Sequence, residues 1–269
     1  MSYRHVSFTT DYGTADGFVA ACKGVLAVRA PGVTVIDVTH QVPPQDVRRG
    51  AAVLAQTVPW LPPSVHLAVV DPGVGTERRG VAVLTGRGVL VGPDNGLLPP
   101  AADALGGVTA AYALTEPAHH LPVVSATFHG RDVFAPVAAA LCRGLDPAEL
   151  GPPVADLVRL PVPAVRTGPG VLRATVATVD GFGNVQLAAT AADLAAAGLS
   201  GAVRVVAGDT ALAARTGRTF ADVPAGEPVV IADSAGLLAV AVNRGDAAAL
   251  LGVRAGDGVK IESIRLGSF

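Results

Sequence analysis

The chain has 269 residues, of which half are apolar and 16% are charged, so it can bury the core of one large or two small globular domains. Its formal net charge of -2, with no window rich in Lys or Arg, excludes the electrostatic pattern of a protein that binds nucleic acid or an anionic membrane. Neither a membrane-spanning apolar run nor a leader peptide is predicted. Cys22 and Cys142 are the only cysteines, which excludes a disulfide framework and favours a cytoplasmic protein.

The first half of the chain alternates short segments rich in β-branched residues with Ala-rich helical segments. Strands are predicted at HVSFTTD, TVIDVTH and SVHLAVVD, and helices at GFVAACKGVLAVRAP and VRRGAAVLAQTVPWLP. This order indicates an α/β domain with a mostly parallel sheet flanked by helices. GVAVLTGRG and GVLVGPDNG, joined by a Gly-containing turn, indicate a hairpin, and DVFAPVAAALCRG indicates a further helix that ends at Gly144.

The composition changes over residues 151–170, where Pro and Gly accumulate in a linker-like segment. We therefore divide the chain into an α/β N-terminal domain, 1–160, and a smaller C-terminal domain, 161–269. Short strands separated by turns are predicted in the second domain at VLRATVATVD, NVQLAAT, AVRVVAG, PVVIADS, LLAVAVN and GVKIES. Their number and spacing indicate an all-β, barrel-like domain.

Polar residues follow three of the predicted N-terminal strands. Asp11, His40 and Asp71 each lie at or just past the carboxyl end of a strand, the edge at which open α/β sheets bind ligands. An Asp in the position of Asp11 can accept two hydrogen bonds from vicinal sugar hydroxyls. An Asx turn or a helix N-cap is the more common use of such an Asp, so both interpretations stay open.

The segment DPGVGTERRG places Arg78 seven residues after Asp71, across a loop with two glycines. Glycine lets the two oppositely charged side chains converge near a ligand. The loop lacks the spacing of a phosphate-binding loop, so nucleotide phosphates are poorly supported. The alternative interpretation is an Asp–Arg ion pair that only stabilises a turn.

The segment TFHGRD places His129 and Asp132 just before a predicted helix. His129 can be a general base, a proton relay or a histidine of the core, and Asp132 fits a helix N-cap. A metal site formed by Asp11, Asp71 and His129 is poorly supported, because close ligand spacing is absent and no Cys is near.

In the second domain, VDGFGNVQL places Asp180, Phe182 and Asn184 in a Gly-rich turn. An amide suits the edge of a purine ring and an aromatic side chain suits its face. A tight hairpin turn with Phe182 as its apolar plug explains the same residues equally well. The segment VGPDNGLLPP indicates a β-turn.

Together, FTTDYG, DPGVGTERR, PDNGLL, TFHGRD and DGFGN resemble, in this order and spacing, the S-adenosyl-L-methionine (SAM) hydroxide adenosyltransferase family, which is related to the fluorinase and the chlorinase. The resemblance covers essentially the whole chain. It implies an α/β domain followed by a β-barrel domain, and a homotrimer with active sites between the N-domain of one subunit and the C-domain of its neighbour. It also implies hydrolysis of SAM to adenosine and methionine.

The same resemblance assigns roles to individual residues. Asp71, Arg78 and His129 match the catalytic set of the family. The implied substrate-binding residues are Asp11 on both ribose hydroxyls, Asp180, Phe182 and Asn184 on the methionine end and the adenine, Ser234 near the methionine carboxylate, and Asn243 on the adenine side. Two departures weaken the C-domain matches. The turn is one residue shorter than in the halogenases, and Ala235 stands where they carry Arg.

The residues favour water over halide as the nucleophile. Halogenases carry Tyr at the positions of Asp71 and His129, and the fluorinase carries Trp at Gln45 and a halide-binding Ser at Gly130. Water needs a base and a cation that stabilises hydroxide, whereas halide needs neither. A carboxylate at about 4 Å would repel a halide by roughly 4 kcal/mol at an effective dielectric constant of 20. We expect SAM as substrate, no cofactor and no metal.

Three alternatives remain open from the sequence. The first is a nucleoside- or SAM-binding protein with little turnover, the second is a chlorinase, and the third is a metal-dependent hydrolase. The sequence also leaves open whether Asp71 or His129 takes the proton from water, since that depends on coupled titration.

Overall fold

A computed structural model of the protein describes residues 2–264, and the chain divides between Leu160 and Pro161 into two compact units. Each unit has its own cores of buried apolar side chains. Cys22 and Cys142 are buried free thiols of the first unit. No helix of the described part is long and apolar enough to cross a membrane.

The first unit is a sheet with helices on both faces. Its strands are β1 (His5–Thr10), β2 (Thr34–Thr39), β3 (Ser64–Val69), β4 (Gly80–Thr85), β5 (Gly88–Pro93) and β6 (Ala110–Ala113), and its helices are α1 (Phe18–Arg29), α2 (Val47–Thr57), α3 (Pro99–Ala104) and α4 (Ala135–Cys142). Helices α1 and α4 pack on one face and α2 and α3 on the other. Every residue of β3 and β5 is buried, as expected for central strands covered on both sides.

The strand order is β2-β1-β3-β5-β4-β6. The pairs β1–β2, β1–β3 and β3–β5 are parallel, whereas β4–β5 and β4–β6 are antiparallel. The sheet is therefore mixed: three of its five strand pairings are parallel, so it is mostly but not purely parallel. The reason is the short connection between β4 and β5, the predicted hairpin, because a tight turn can join only antiparallel strands.

The second unit is a closed barrel. Its strands are β7 (Val165–Gly168), β8 (Val171–Val179), β9 (Val185–Thr190), β10 (Ala202–Ala207), β11 (Thr210–Thr216), β12 (Pro228–Ala232), β13 (Leu237–Val242) and β14 (Gly258–Ser263). Pairing of β14 with β8 closes the strands β8–β14 into a ring, and β7 adds to β8. Buried and less buried residues alternate along β8, with the inward residues in the core.

Two short helices, α5 (Ala191–Ala196) and α6 (Ala247–Leu251), correct the expectation of an all-β unit. Strands β7 and β11 are additions to the predicted set. Strand β7 lies in the segment interpreted as a linker, and β11 has the sequence TALAART, whose Ala content gives no clear strand signal.

The sheet of the first unit buries a polar pair. Ser7 Oγ lies 2.8 Å from Nδ1 of His66, and both residues are almost inaccessible to solvent. Burial, assisted by the charge of Arg87, lowers the pKa of His66 to about 4. The native state therefore holds this imidazole neutral over the range in which an exposed histidine becomes charged.

The pair predicts a pH dependence of stability. Because the native pKa lies below the unfolded value of about 6.5, the stability is full above pH 6.5 and decreases toward pH 4 by about 3 kcal/mol from this residue. In His66→Met, this contribution to the loss of stability between pH 6.5 and pH 4 should be absent. Urea unfolding across this pH range measures it, with His119→Gln, a partly exposed histidine, as the control. An unchanged slope in His66→Met would contradict the prediction.

Candidate functional site

The carboxyl ends of β1, β2 and β3 meet at one edge of the first unit. These strands are neighbours and parallel, and Thr10 pairs with Val69 while Thr9 pairs with Thr39. Asp11 and His40 follow directly on the ends of β1 and β2, and Asp71 lies two residues after the end of β3. The edge is therefore lined by the polar residues that the sequence singled out.

Asp71, Arg78 and His129 form a continuous hydrogen-bonded group. Arg78 Nε lies 2.8 and 3.1 Å from the two oxygens of Asp71, and Arg78 Nη2 lies 2.5 Å from Oδ2. The same Nη2 atom lies 3.0 Å from Nδ1 of His129. Only 6% of the Asp71 side chain and 12% of the Arg78 side chain are exposed, so this ion pair is poorly screened by solvent.

The loop after β3 brings Arg78 to His129 by a close backbone approach. Gly75 has φ of +77°, and a side chain there would collide with the carbonyl of Ala126. Glycine is required because it combines a left-handed conformation with the absence of Cβ. At the start of the loop, Asn95 donates from Nδ2 to the carbonyl of Val70 at 2.8 Å. The PDNG turn therefore holds the residue before Asp71.

His129 precedes a π-helical turn, Gly130–Phe134, that continues into α4. Turns of this type occur often at functional sites. Asp132, expected as an N-cap, is instead completely buried and accepts from Arg131 Nε at 2.6 Å and from the backbone N–H of Ser125 at 2.9 Å. Burial acts to raise the pKa of Asp132, but these hydrogen bonds hold it below its usual value. Asp132 thus fixes the loop that carries His129.

The imidazole of His129 is neutral in this arrangement. An arginine is always a donor, so Nδ1 accepts from Arg78 and the ring proton resides on Nε2. Burial and the positive charge of Arg78 lower the pKa of His129, although Asp71 and Asp132 act in the opposite direction. The Nε2–H group is therefore available to donate to a ligand.

An aromatic cluster lies beside this group, and sequence reasoning did not identify it. The ring centroids of Tyr12, Phe18 and Phe128 are 5.4 to 6.0 Å apart in tilted and edge-to-face contacts. The Tyr12 hydroxyl lies where a side chain at Gly130 would be, so the ring fills the space that glycine leaves. Burial, with the nearby Asp11 and Asp71, raises the pKa of Tyr12. The sequence did carry a signal for this cluster. Aromatic residues are few in the chain, yet two of the three rings lie within the motifs.

Asp11 is held by an unusual backbone conformation. Its Oδ2 accepts from the backbone N–H of Gln45 at 2.8 Å, and Gln45 has φ of +67°, which is rare for a residue with a side chain. Such conformations are more often found at functional sites. Oδ1 has no hydrogen-bond partner among the described residues, so it can accept from a ligand.

In the second unit, Asp180 organises the turn between β8 and β9. Its Oδ1 accepts from the backbone N–H groups of Phe182 and Asn184 at 2.8 and 2.9 Å, and its Oδ2 accepts from Asn184 Nδ2 at 2.8 Å. The backbone carbonyl of Asn184 accepts from the N–H of Asp180 at 3.1 Å, and the side-chain Oδ1 of Asn184 has no donor within the turn. Phe182 is 82% exposed, so it is not the apolar plug of a hairpin and its ring faces are free for stacking.

The β9–β13 ladder separates the remaining candidates. Val185 pairs with Val240 near the Asp180 turn, and Thr190 pairs with Leu237 at the other end. Asn243 therefore lies near the Asp180 turn, where its Nδ2 donates to the carbonyl of Val223 at 2.8 Å. The exposed Ser234 lies in the turn at the opposite end, which is anchored by the carboxylate of Asp233 on Gln186 Nε2. The residues considered for adenine and for the methionine carboxylate thus lie at opposite ends of one ladder.

Among residues 2–264, no group of three or more His, Cys, Asp or Glu side chains is arranged to hold a metal ion. The nearest candidate from the sequence, Asp11 with Asp71 and His129, is therefore not a metal cluster in this structure. The Asp71 carboxylate is directed at Arg78 instead.

The family model of the SAM hydroxide adenosyltransferase N-terminal domain matches residues 6–151, and that of the C-terminal domain matches residues 174–260. The chain belongs to the SAM hydroxide adenosyltransferase family. Asp11, Asp71, Arg78 and His129 lie within the first match, and the five C-terminal candidates lie within the second.

Relatives in this family match over nearly the whole chain. A (R)-S-adenosyl-L-methionine hydrolase from Salinispora arenicola is 60% identical, covering 95% of this chain and 97% of its own. One from Thermus thermophilus is 48% identical over 96% and 99%, and a fluorinase from Actinoplanes sp. is 30% identical over 93% and 95%. A crystal structure of an uncharacterized conserved protein from Thermotoga maritima has a TM-score of 0.90 at 36% identity, covering 96% of this chain and all of that one.

The contact between Tyr12 and Gly130 predicts coupled substitutions. A methyl group at Gly130 would meet the Tyr12 hydroxyl, so Gly130→Ala should displace the ring and destabilise this family member by about 1–3 kcal/mol. Tyr12→Phe removes the hydroxyl, so the double variant should be about 1 kcal/mol more stable than the sum of the single effects predicts. Urea unfolding of the four proteins measures this difference. Additive effects would contradict the contact.

Proposed function

We propose that the protein hydrolyses SAM to adenosine and L-methionine. The observation that carries this proposal is the Asp71–Arg78–His129 group in a SAM hydroxide adenosyltransferase fold. Relatives of 48% and 60% identity over nearly the full length are SAM hydrolases by name. The chain is accordingly an enzyme of the hydrolase class within a fluorinase-like family.

The reaction is a nucleophilic displacement at C5′ of the ribose. A bond forms between the water oxygen and C5′, and the bond between C5′ and the sulfonium sulfur breaks. The electron pair of that bond stays on sulfur, so methionine leaves as a neutral thioether and needs no acid. The proton that water loses must be accepted by the enzyme, and this is the task of the catalytic group.

The hydrogen-bond pattern favours Asp71 as the acceptor of that proton. Nδ1 of His129 accepts from Arg78, so its other nitrogen carries hydrogen and donates rather than accepts. His129 then orients the water through Nε2–H, while Arg78 stabilises the developing hydroxide charge. Asp71 passes the proton to bulk water after the displacement. In this proposal, the proton from water goes to the Asp71 carboxylate and not to His129.

The same group disfavours halide. Asp71 places a negative charge where a halide would have to approach, whereas the positive charge of Arg78 is already shared with that carboxylate. The space over Gly130, where the fluorinase carries a halide-binding Ser, is filled by the Tyr12 hydroxyl. Water is neutral and can donate to the carboxylate, so it meets no such barrier.

Residues of both units hold the substrate in this proposal. Asp11 accepts from the ribose hydroxyls with the oxygen not used by Gln45. The side-chain Oδ1 of Asn184 accepts from the exocyclic amine of adenine, Phe182 stacks on the purine ring, and Asn243 lies on the same side. Asp180 holds this turn through its hydrogen bonds to Phe182 and Asn184, and Ser234, in the turn at the other end of the ladder, donates to the methionine carboxylate. The opposite ends of the β9–β13 ladder suit a ligand that carries adenine at one end and an amino acid at the other.

We further propose a homotrimer in which each active site combines the N-domain of one subunit with the C-domain of its neighbour. The family resemblance is the ground for this proposal, in which the candidate residues of 1–160 and those of 161–269 act from different subunits. A cytoplasmic location and a reaction without cofactor belong to the same proposal. The neutral leaving group and the Asp71–Arg78 pair supply what the displacement requires.

Product analysis tests the activity. Incubation with SAM should yield adenosine and methionine at a rate that high chloride leaves unchanged. Asp71→Asn should lower kcat by about 10²–10⁴-fold with KM little changed, because it removes the proton acceptor. Asp209→Asn, the same change at an exposed turn between β10 and β11, is the matched control. A 5′-chlorinated nucleoside would contradict the use of water, and bound SAM without product would contradict turnover.

The pKa of His129 predicts the acid limb of the rate profile. Protonation at Nδ1 removes the bond from Arg78 and adds a positive charge beside the guanidinium. Activity is therefore full above the pKa of His129 and decreases as the pH falls through it. Because burial and Arg78 lower that pKa, the limb of kcat should lie below about pH 6.5. Steady-state rates measure it, and a limb centred above that value, or retained in His129→Asn, would contradict the assignment.

A further inference from the structure

A chain of side-chain hydrogen bonds lies beneath the turn that carries Asp11. Lys23 Nζ lies 2.6 Å from Oδ2 of Asp37, and Asp37 Oδ1 lies 3.1 Å from Nε2 of His40. His40 Nδ1 lies 2.8 Å from the hydroxyl of Thr10. That hydroxyl also accepts from the backbone N–H of Tyr12 at 3.2 Å. The chain thus runs from the surface of α1 to the residue after Asp11.

The donors and acceptors along this chain have one consistent direction. Burial acts to raise the pKa of Asp37, but hydrogen bonds from Lys23 and His40 hold it below its usual value, so Asp37 is an acceptor. His40 then donates from Nε2 and accepts at Nδ1 from the Thr10 hydroxyl. The Thr10 oxygen keeps a lone pair for the N–H of Tyr12. Each polar atom in the chain therefore has a partner.

The chain is fixed in place by packing. Thr10 is completely buried and His40 is 6% exposed. The ring of His40 makes an edge-to-face contact with Phe8, with centroids 4.9 Å apart. The His40 carbonyl also accepts from the backbone N–H of Gly13 at 2.7 Å. His40 thus holds the Asp11–Gly13 turn at both ends, through its side chain and through its backbone.

We propose that Thr10, His40 and Asp37 are positioning residues for the Asp11 carboxylate. None of them touches the substrate in this proposal, which rests on the proposed role of Asp11 on the ribose. They fix the direction in which β1 ends, while Gln45 fixes one carboxylate oxygen, so the other oxygen is presented to the ribose hydroxyls. The consequence is specific: the chain contributes to the affinity for a ligand that carries these hydroxyls, and little to the affinity for one without them.

The neighbouring residue offers a matched control. Thr9 lies on the same strand and is equally buried, but its hydroxyl has no hydrogen-bond partner among the described residues. Thr10→Val and Thr9→Val are the same isosteric change, which retains the β-branched shape that suits a strand. Only the first removes a link of the chain.

The test compares the binding of adenosine with that of 2′,3′-dideoxyadenosine by calorimetry on the full-length protein. Thr10→Val should raise the Kd for adenosine about fivefold, the effect of about one hydrogen bond, and leave the Kd for dideoxyadenosine within about twofold. With SAM, KM should rise while kcat changes little. Thr9→Val should leave the Kd of both ligands unchanged. Thr10→Ser, which keeps the hydroxyl, should bind adenosine as the unchanged protein does. If Thr10→Val does not fold, Asp37→Ala, which removes the acceptor of His40 at the partly exposed end of the chain, should show the same selective loss.

Asp11→Asn separates the two levels of the inference. Suppose that Asp11→Asn weakens the binding of adenosine selectively, but that Thr10→Val weakens the binding of both nucleosides alike or of neither. The positioning role is then wrong while the ribose assignment stands. If Asp11→Asn weakens the binding of both nucleosides alike, or of neither, the ribose assignment itself is wrong and the positioning role with it.

Discussion

The Arg78 guanidinium is the group on which the rest of the candidate site depends. It donates to both oxygens of Asp71 and to Nδ1 of His129, so it joins segments that are 51 residues apart in the chain. Removing an arginine and an aspartate from water costs free energy, and only a well-directed ion pair with further hydrogen bonds offsets that cost. The bidentate contact meets this condition. An apolar pair of similar volume would pack as well, but it would leave no carboxylate beside a neutral imidazole.

The mixed sheet explains how Arg78 reaches Asp71. Parallel strands β1, β2 and β3 end at one edge, which places Asp11, His40 and Asp71 there. The loop after β3 then has to return to the antiparallel strand β4, and Arg78 lies two residues before β4 begins. Had β4 been parallel, the loop would have led away from this edge. The departure from a parallel sheet is therefore what brings the cation to the carboxylate.

The two units solve different physical problems. The first holds charged groups close together in a partly buried place. There a backbone N–H has to donate to the Asp11 carboxylate, and the strained conformation of Gln45 supplies that donor. The second presents an exposed ring and a free amide carbonyl on a rigid turn, which demands that Asp180 satisfy the backbone internally. Both use a carboxylate as the organiser of a loop, and in both the loop follows directly on a strand. Rigid strands thus determine where adaptable loops place their functional groups.

By itself the sequence determined the alternation of strands and helices, the hairpin, the family and most candidate residues, because apolar periodicity, turn residues and ordered motifs are local properties. It did not determine that β6 pairs with β4, that the barrel closes through β8 and β14, or that TALAART is a strand, since strand partners are chosen by contacts between distant segments. Asp132 and Tyr12 show the same limit. Whether an aspartate caps a helix or anchors a buried loop, and whether a tyrosine fills the space over a glycine, depends on neighbours that only the tertiary structure supplies.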